Sequence, residues 1–258
     1  MKRHYSNILI FMGVAMSVLL SNGCSATHVH WPNGEQLKNS AVRSIRHPGT
    51  WMPAAGAAVI ALGNWDDNIS DWAREETPVF GSQHSAQNNS DRFRSYAHYG
   101  MILSALAVND DSDGYWGPAV ERLVFEQVGV IAATTARIPI QKITDRDRPN
   151  GDTEGFPSGH STRAFAYTGM TYRNIDDLNI RPLWKYSAKS VETVFAYSTA
   201  WARVEAGAHY PTDVLAGAAL GNFVTLFLYD AFFENADNIH INFGADKKVT
   251  LSFRYNFK

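Results

Sequence analysis

Apolar positions along most of the chain recur at helical spacing. Trp51 to Leu62 is an alanine-rich apolar run, and Asp66 to Arg74 follows as a short amphipathic segment that turns Ile69 and Trp72 inward, which predicts a helix pair. Gly81 to Asn89 reads as loop. Asp91 to Val108 places Phe93, Ala97, Ile102 and Leu106 on broadly one side of another helix, with His98 riding on it as a structural residue. Pro118 stands at a first-turn position and opens a long helix, with Val120, Leu123, Val124, Val128 and Ile131 at helical spacing, that runs toward Pro139. Ser187 to Ala206 repeats the pattern through Val191, Val194, Phe195 and Ser198 and stops at Gly207, a natural C-cap. Val214 to Tyr229 is apolar on every side apart from Asn222 and Thr225, as in a helix buried in a core or in lipid. It is shorter than the roughly 20 residues a membrane span wants, no other segment past the N-terminus qualifies, and neighbouring helices carry Glu121, Arg122 and Glu126. The pattern predicts an all-α fold, a soluble helical bundle of about six or more helices over 49–234 with Val214 to Tyr229 at its centre.

Both ends break this pattern. Ile239, Ile241 and Phe243 alternate with polar residues, Gly244 to Lys248 reads as a turn, and Val249, Leu251, Phe253, Tyr255 and Phe257 alternate again. This predicts a short C-terminal β-hairpin over 235–258 that packs against the bundle or pairs with a partner; two strands cannot close a barrel. At the other end Lys2 and Arg3 precede an uncharged apolar run from Ile8 to Leu20, and Ser21, Gly23 and Cys24 follow, which predicts a signal peptide over 1–23. Cys24 is the only cysteine, so no intramolecular disulfide can form. Placed where the signal ends, it resembles the lipidated cysteine of a bacterial lipoprotein, although Ser21 stands where such signals place Leu. Residues 24–48 are polar and turn-rich and read as a tether.

Composition narrows the function. The chain has 258 residues, a length suited to one domain, and a formal charge of −2 with scattered Lys and Arg. It lacks the clustered basic footprint of a nucleic-acid binder. Metal signals are weak: His28 and His30 offer two ligands only, and Asn109 to Gly114 resembles the start of a calcium loop but meets Val120 where such a loop needs Glu. No metal site is expected.

Chemistry-bearing residues concentrate in three segments: QKITDRDRP from Gln141 to Pro149, FPSGH from Phe156 to His160, and ARVEAGAHYPTD from Ala202 to Asp213. Together they resemble the phosphatidic acid phosphatase type 2 superfamily, which takes in bacterial non-specific acid phosphatases, lipid phosphatases and vanadium haloperoxidases. The family pattern is K-x6-R-P, then P-S-G-H, then S-R-x5-H-x3-D. Arg148-Pro149, Pro157-Ser158-Gly159-His160, and Arg203, His209 and Asp213 meet it in order and at the family spacings. Gln141 stands where the family has lysine, and Ala202 where it has serine. Lys142, one residue late, is taken to supply the cation from a shifted register; the alternative is a site of two arginines.

The resemblance implies hydrolysis of phosphate monoesters through a phosphohistidine, without a cofactor. His209 would be the nucleophile, Asp213 its orienting acid and His160 the general acid, while Arg148, Arg203, Lys142, Ser158 and Gly159 hold the phosphate. The chemistry suits those residue types. A phosphoryl group in flight carries charge on its equatorial oxygens, which planar guanidinium forks match, and a serine-capped helix start offers free N–H groups to an anion. Glu205, inside the third segment, reads as a structural partner. Lipid phosphates or pyrophosphates stand beside soluble esters as substrates, and a lipid anchor on Cys24 would hold the exported chain at the outer membrane, facing the periplasm. Two rivals stay open: a vanadate-dependent haloperoxidase on the same residues, and a non-catalytic envelope lipoprotein that retains the scaffold. The oligomeric state is not legible.

Overall fold

The computed structural model describes residues 31–108, 117–233, 239–246 and 248–255. The stretch read as a signal peptide, Cys24, His28, His30 and Asn109 to Gly114 lie outside the described residues. Eight helices make up the fold: α1 (Gly34–Arg46), α2 (Pro48–Leu62), α3 (Asp66–Glu76), α4 (Gln83–Ala107), α5 (Gly117–Thr144), α6 (Gly159–Asp177), α7 (Pro182–Glu205) and α8 (Pro211–Phe232).

Helix α8 is the hub, with α6, α2, α1 and α5 all packed on it, while α4 lies against α6 and α7. Its contact with α6 is backbone to backbone. A Cβ at Gly217 would fall 2.6 Å from the Ser158 carbonyl, and one at Gly221 would fall 2.3 Å from the Thr162 carbonyl. Glycine at these two positions therefore sets the helix separation. The approach brings the start of α6 beside the start of α8, where the Ser158 N–H donates to the Asp213 carbonyl (3.0 Å) and the Ser161 hydroxyl to that of Val214 (2.5 Å).

Several expectations need correction. The stretch read as a tether contains α1, which is opened by an Asn33 and Gln36 capping box and tied to the end of α8 by Arg43 and Asp230 at 3.1 Å. The stretch read as loop from Gly81 is helical from Gln83, capped by Ser82. Trp72 does not turn inward: it is 51% exposed, and Ser70 and Ala73 are the buried residues of α3. Helix α5 passes through Pro139 and continues to Thr144. Residues Ala119–Thr144 and Pro211–Phe232 are each long and apolar enough to cross a membrane by length and composition, which corrects the reading that no segment past the N-terminus is. The second of these is mostly buried inside the bundle.

The fold class is corrected at its strands. Among the described residues the bundle is eight helices, and the two strands form no layer of it. Among the described residues Ile239–Asp246 and Lys248–Tyr255 pair antiparallel, from Ile239 opposite Tyr255 to Asp246 opposite Lys248, so Gly244, Ala245 and Asp246, expected in the turn, belong to the first strand. A period of two in the sequence reports strand pairing, not what the strands pack on. The helices bury their apolar faces on one another and on α8, which completes the core without a sheet layer.

Candidate active site

The third motif straddles the break between α7 and α8. Helix α7 ends at Glu205, and Gly207 takes a left-handed φ of 66° that turns the chain. The N–H groups of Ala208 and His209 then both donate to the Arg203 carbonyl, at 3.1 and 3.2 Å. This places His209 directly beside Arg203. Pro211 opens α8, and Asp213 in its first turn accepts the Tyr210 N–H at 2.9 Å. His209 Nδ1 lies 3.5 Å from Asp213 Oδ2, and the two side chains are 2% and 0% exposed. Burial lowers the His209 pKa, with Arg203 and Arg148 acting in the same direction against Asp213, so the ring is neutral at neutral pH. With Nδ1 turned to the carboxylate, Nε2 is the nitrogen left for chemistry.

Asp213 is held by more than its own helix. Arg146 donates to Asp213 Oδ1 (2.9 Å), to the Thr212 hydroxyl (2.7 Å) and to Asp66 Oδ2 (2.8 Å), with its guanidinium 4.3 Å from the Tyr210 ring centroid. Asp66 in turn accepts the Thr212 N–H at 2.9 Å and the Thr212 hydroxyl. Sequence reasoning missed Arg146 and Asp66. The only trace was a second arginine within DRDRP, and nothing about its spacing distinguishes it.

The second motif begins α6. Ser158 is the N-cap, its hydroxyl accepting from the Ser161 N–H at 3.5 Å, and the first N–H groups of a helix have no partner within it. His160 Nε2 sits 3.1 Å from Asp91 Oδ1, which also receives an Arg94 N–H at 2.8 Å. Burial, followed by Arg203 and Arg94, holds the His160 pKa down at about 3 despite Asp91. His160 is therefore neutral at neutral pH. Asp91, on α4, is a further residue that sequence reasoning missed.

The cations are short of acids. Arg203 donates to the Gln87 side-chain carbonyl and, at 3.4 Å, to the Ser90 hydroxyl; Arg148 donates to the Glu154 carbonyl at 3.5 Å. Neither forms a salt bridge among the described residues. Burial and then Arg148 lower the Arg203 pKa to about 10. The Nε atoms of Arg137, Arg148 and Arg203 and the Nδ1 of His209 are buried without a hydrogen-bond partner. Leaving the guanidinium Nε atoms unpaired costs about 1–3 kcal/mol each, and an anion seated between them would offset that cost; His209 Nδ1 faces Asp213 instead.

Lys142 is exposed and makes no hydrogen bond to this cluster, whereas Gln141 is buried, donating to the Glu154 carbonyl at 3.0 Å. Glu205 accepts from the N–H groups of Val79 and Phe80, each at 3.0 Å, and from the Trp201 indole, as a structural partner does. Among the described residues, no group of three or more His, Cys, Asp or Glu side chains is placed to hold a metal ion.

Residues 118–237, which contain all three motifs, match the family model of the PAP2 superfamily. In fold the chain is similar to the crystal structure of the first transmembrane PAP2 type phosphatidylglycerolphosphate phosphatase from Bacillus subtilis. The TM-score is 0.53 at 18% identity, over 73% of this chain and 94% of that one. No curated protein matches the sequence significantly.

Proposed function

From a chain that belongs to the PAP2 superfamily, we propose a phosphatase that hydrolyses phosphate monoesters, lipid phosphates among them, through a phosphohistidine on His209. The observation that carries this reading is a pair of arginines acting on a neutral histidine: the Nε atoms of Arg148 and Arg203 are buried without a hydrogen-bond partner, neither side chain forms a salt bridge among the described residues, and both charges lower the His209 pKa. An anion with tetrahedral oxygens fits that place.

In the first step His209 Nε2 attacks phosphorus, a P–N bond forms and the P–O ester bond breaks. Asp213 stabilises the charge that develops on the ring. The leaving alkoxide takes the Nδ1 proton of His160, which enters this step as the imidazolium, its pKa raised by the bound phosphate dianion. Because His160 Nε2 is turned to Asp91, Nδ1 is the atom that gives the proton. In the second step water attacks the phosphohistidine, His160 Nδ1 takes the water proton, and the P–N bond breaks to release orthophosphate. Arg148, Arg203 and the start of α6 hold the equatorial oxygens throughout.

Lipid substrates are supported by surface chemistry and by the neighbour in fold, which is a phosphatidylglycerolphosphate phosphatase. A cleft of about 500 Å³, lined by Ala57, Ala58, Ala61, Phe156, Arg146 and Thr212, joins the apolar face of α2 to the support of Asp213. Trp51, Met52, Val59 and Leu62 on α2 are exposed. Apolar surface of this kind suits a membrane-associated enzyme, with a lipid anchor on Cys24 as the tether. The test is hydrolysis of p-nitrophenyl phosphate and of vesicle-borne phosphatidic acid by purified protein. Turnover of both, lost in His209→Ala, is expected; no hydrolysis of either, or full activity in His209→Ala, would overturn the reading.

A further inference from the structure

The family lysine has no counterpart at Gln141, and exposed Lys142 does not reach the cluster. We propose that Arg137, one turn earlier on α5, is the third cation of the phosphate site, aimed there by Gln141. The inference rests on the phosphatase reading above.

Arg137 and Gln141 are four residues apart on one helix, so they share a face. The Gln141 side-chain carbonyl accepts an Arg137 Nη1–H at 2.5 Å. Gln141 is itself pinned at its other end, donating to the Glu154 carbonyl at 3.0 Å and more weakly to that of Pro157 at 3.4 Å, both in the loop that leads into α6. The residue in the lysine position has thus become a bracket between Arg137 and that loop.

The guanidinium lies at the start of α6. A Cβ on Gly159 would meet Arg137 Nε at 3.0 Å and Cζ at 3.1 Å, so glycine at that position leaves the approach open. Arg137 Nε is buried without a partner, the same condition found at Arg148 and Arg203. No salt bridge to Arg137 is formed among the described residues, and exposed Glu154 is the acid that acts on it from a distance. Burial, then Arg163, lowers its pKa, and Arg148, which also lowers that of Arg203, adds to the effect. A phosphoryl group in transfer spreads charge over three equatorial oxygens. Arg137, Arg148 and Arg203 supply one planar donor group for each.

The test compares Arg137→Met, Arg137→Lys, Lys142→Met and the double variant Arg137→Met/Gln141→Lys with the parent enzyme. Read-outs are kcat/KM on p-nitrophenyl phosphate, the dissociation constant of orthovanadate, and thermal melting to check that each variant folds. Arg137→Met is expected to lose about 10² or more in kcat/KM, the scale of one transition-state donor, and to weaken vanadate at least about ten-fold. Arg137→Lys keeps part of both, and the double variant regains part by restoring a lysine at the family spacing. If Arg137→Met does not fold, the lysine and double variants decide by the same measures. Arg137→Met within about three-fold of the parent, or the loss falling on Lys142→Met instead, would overturn the proposal. Full activity in His209→Ala, run alongside, would instead sink the phosphatase reading on which it stands.

Discussion

At the residue scale, the two histidines differ in what each ring faces. His209 turns Nδ1 to a buried carboxylate and stays neutral, as a nucleophile must. His160 faces Asp91 but is held at a pKa of about 3, first by burial and then by Arg203 and Arg94. A phosphate dianion between the arginines reverses that repulsion and raises the His160 pKa. The profile of kcat/KM reports the free enzyme and that of kcat the complex. The basic limb of kcat should therefore lie at higher pH than that of kcat/KM, and steady-state rates across the acid to neutral range would check this; coincident limbs would contradict it. Asp91→Asn removes the charge that opposes the depression, so kcat should fall about ten-fold on the basic side. The motif residues were legible because fixed spacing carried them. Asp91, Arg146 and Asp66 were not, since they meet His160, Asp213 and Arg146 across 69, 67 and 80 residues of chain, and such distances leave no periodic trace.

At the element scale, the site depends on how closely α6 and α8 approach. Gly221 faces the Thr162 carbonyl and the Ala166 N–H, backbone atoms that cannot move aside as a side-chain end can. Gly221→Val should cost about 1–3 kcal/mol by overpacking and reduce activity with it, because the Ser158 bond to the Asp213 carbonyl depends on the same approach. Gly34→Ala, which meets open space, should leave stability unchanged or slightly raised. Urea unfolding of both would check the contrast. Hydrophobic periodicity revealed α5, α7 and α8, although Val128, Val191 and Val194 of the expected stripes are about half exposed, and it missed α1 and the first two turns of α4. In α1 the buried residues are Ser40 and Ser44, so no stripe marks it; the signal was its capping box. The start of α8 at Pro211, with Asp213 in its first turn, was legible from the proline, while its end runs on from Tyr229 to Phe232.

At the scale of the whole molecule, the core holds one carboxyl at a cost. Glu126 is fully buried with no hydrogen-bond partner on either oxygen, and burial raises its pKa from 4.5 to about 8. The folded state keeps a proton there that the unfolded chain releases near pH 4.5. This contribution to stability is therefore complete below that pH and is lost as pH rises through about 8. Glu126→Gln cannot ionise, so its melting temperature relative to the parent should climb across that window; a constant offset would contradict the assignment. The helical bundle was legible from the sequence, but its boundary was not. Alternation at the C-terminus described two strands correctly placed to pair, yet the helices had already closed the core on α8.

The central claim is that phosphate passes through His209. Enzyme mixed rapidly with p-nitrophenyl phosphate, quenched in alkali to preserve the P–N bond and mapped by peptide mass spectrometry, tests it most directly. Phosphate is predicted on His209 alone, at higher occupancy in His160→Asn, where the base for the second step is missing. A His160→Asn enzyme that turns over with His209 unmodified, or with phosphate on another residue, would contradict it.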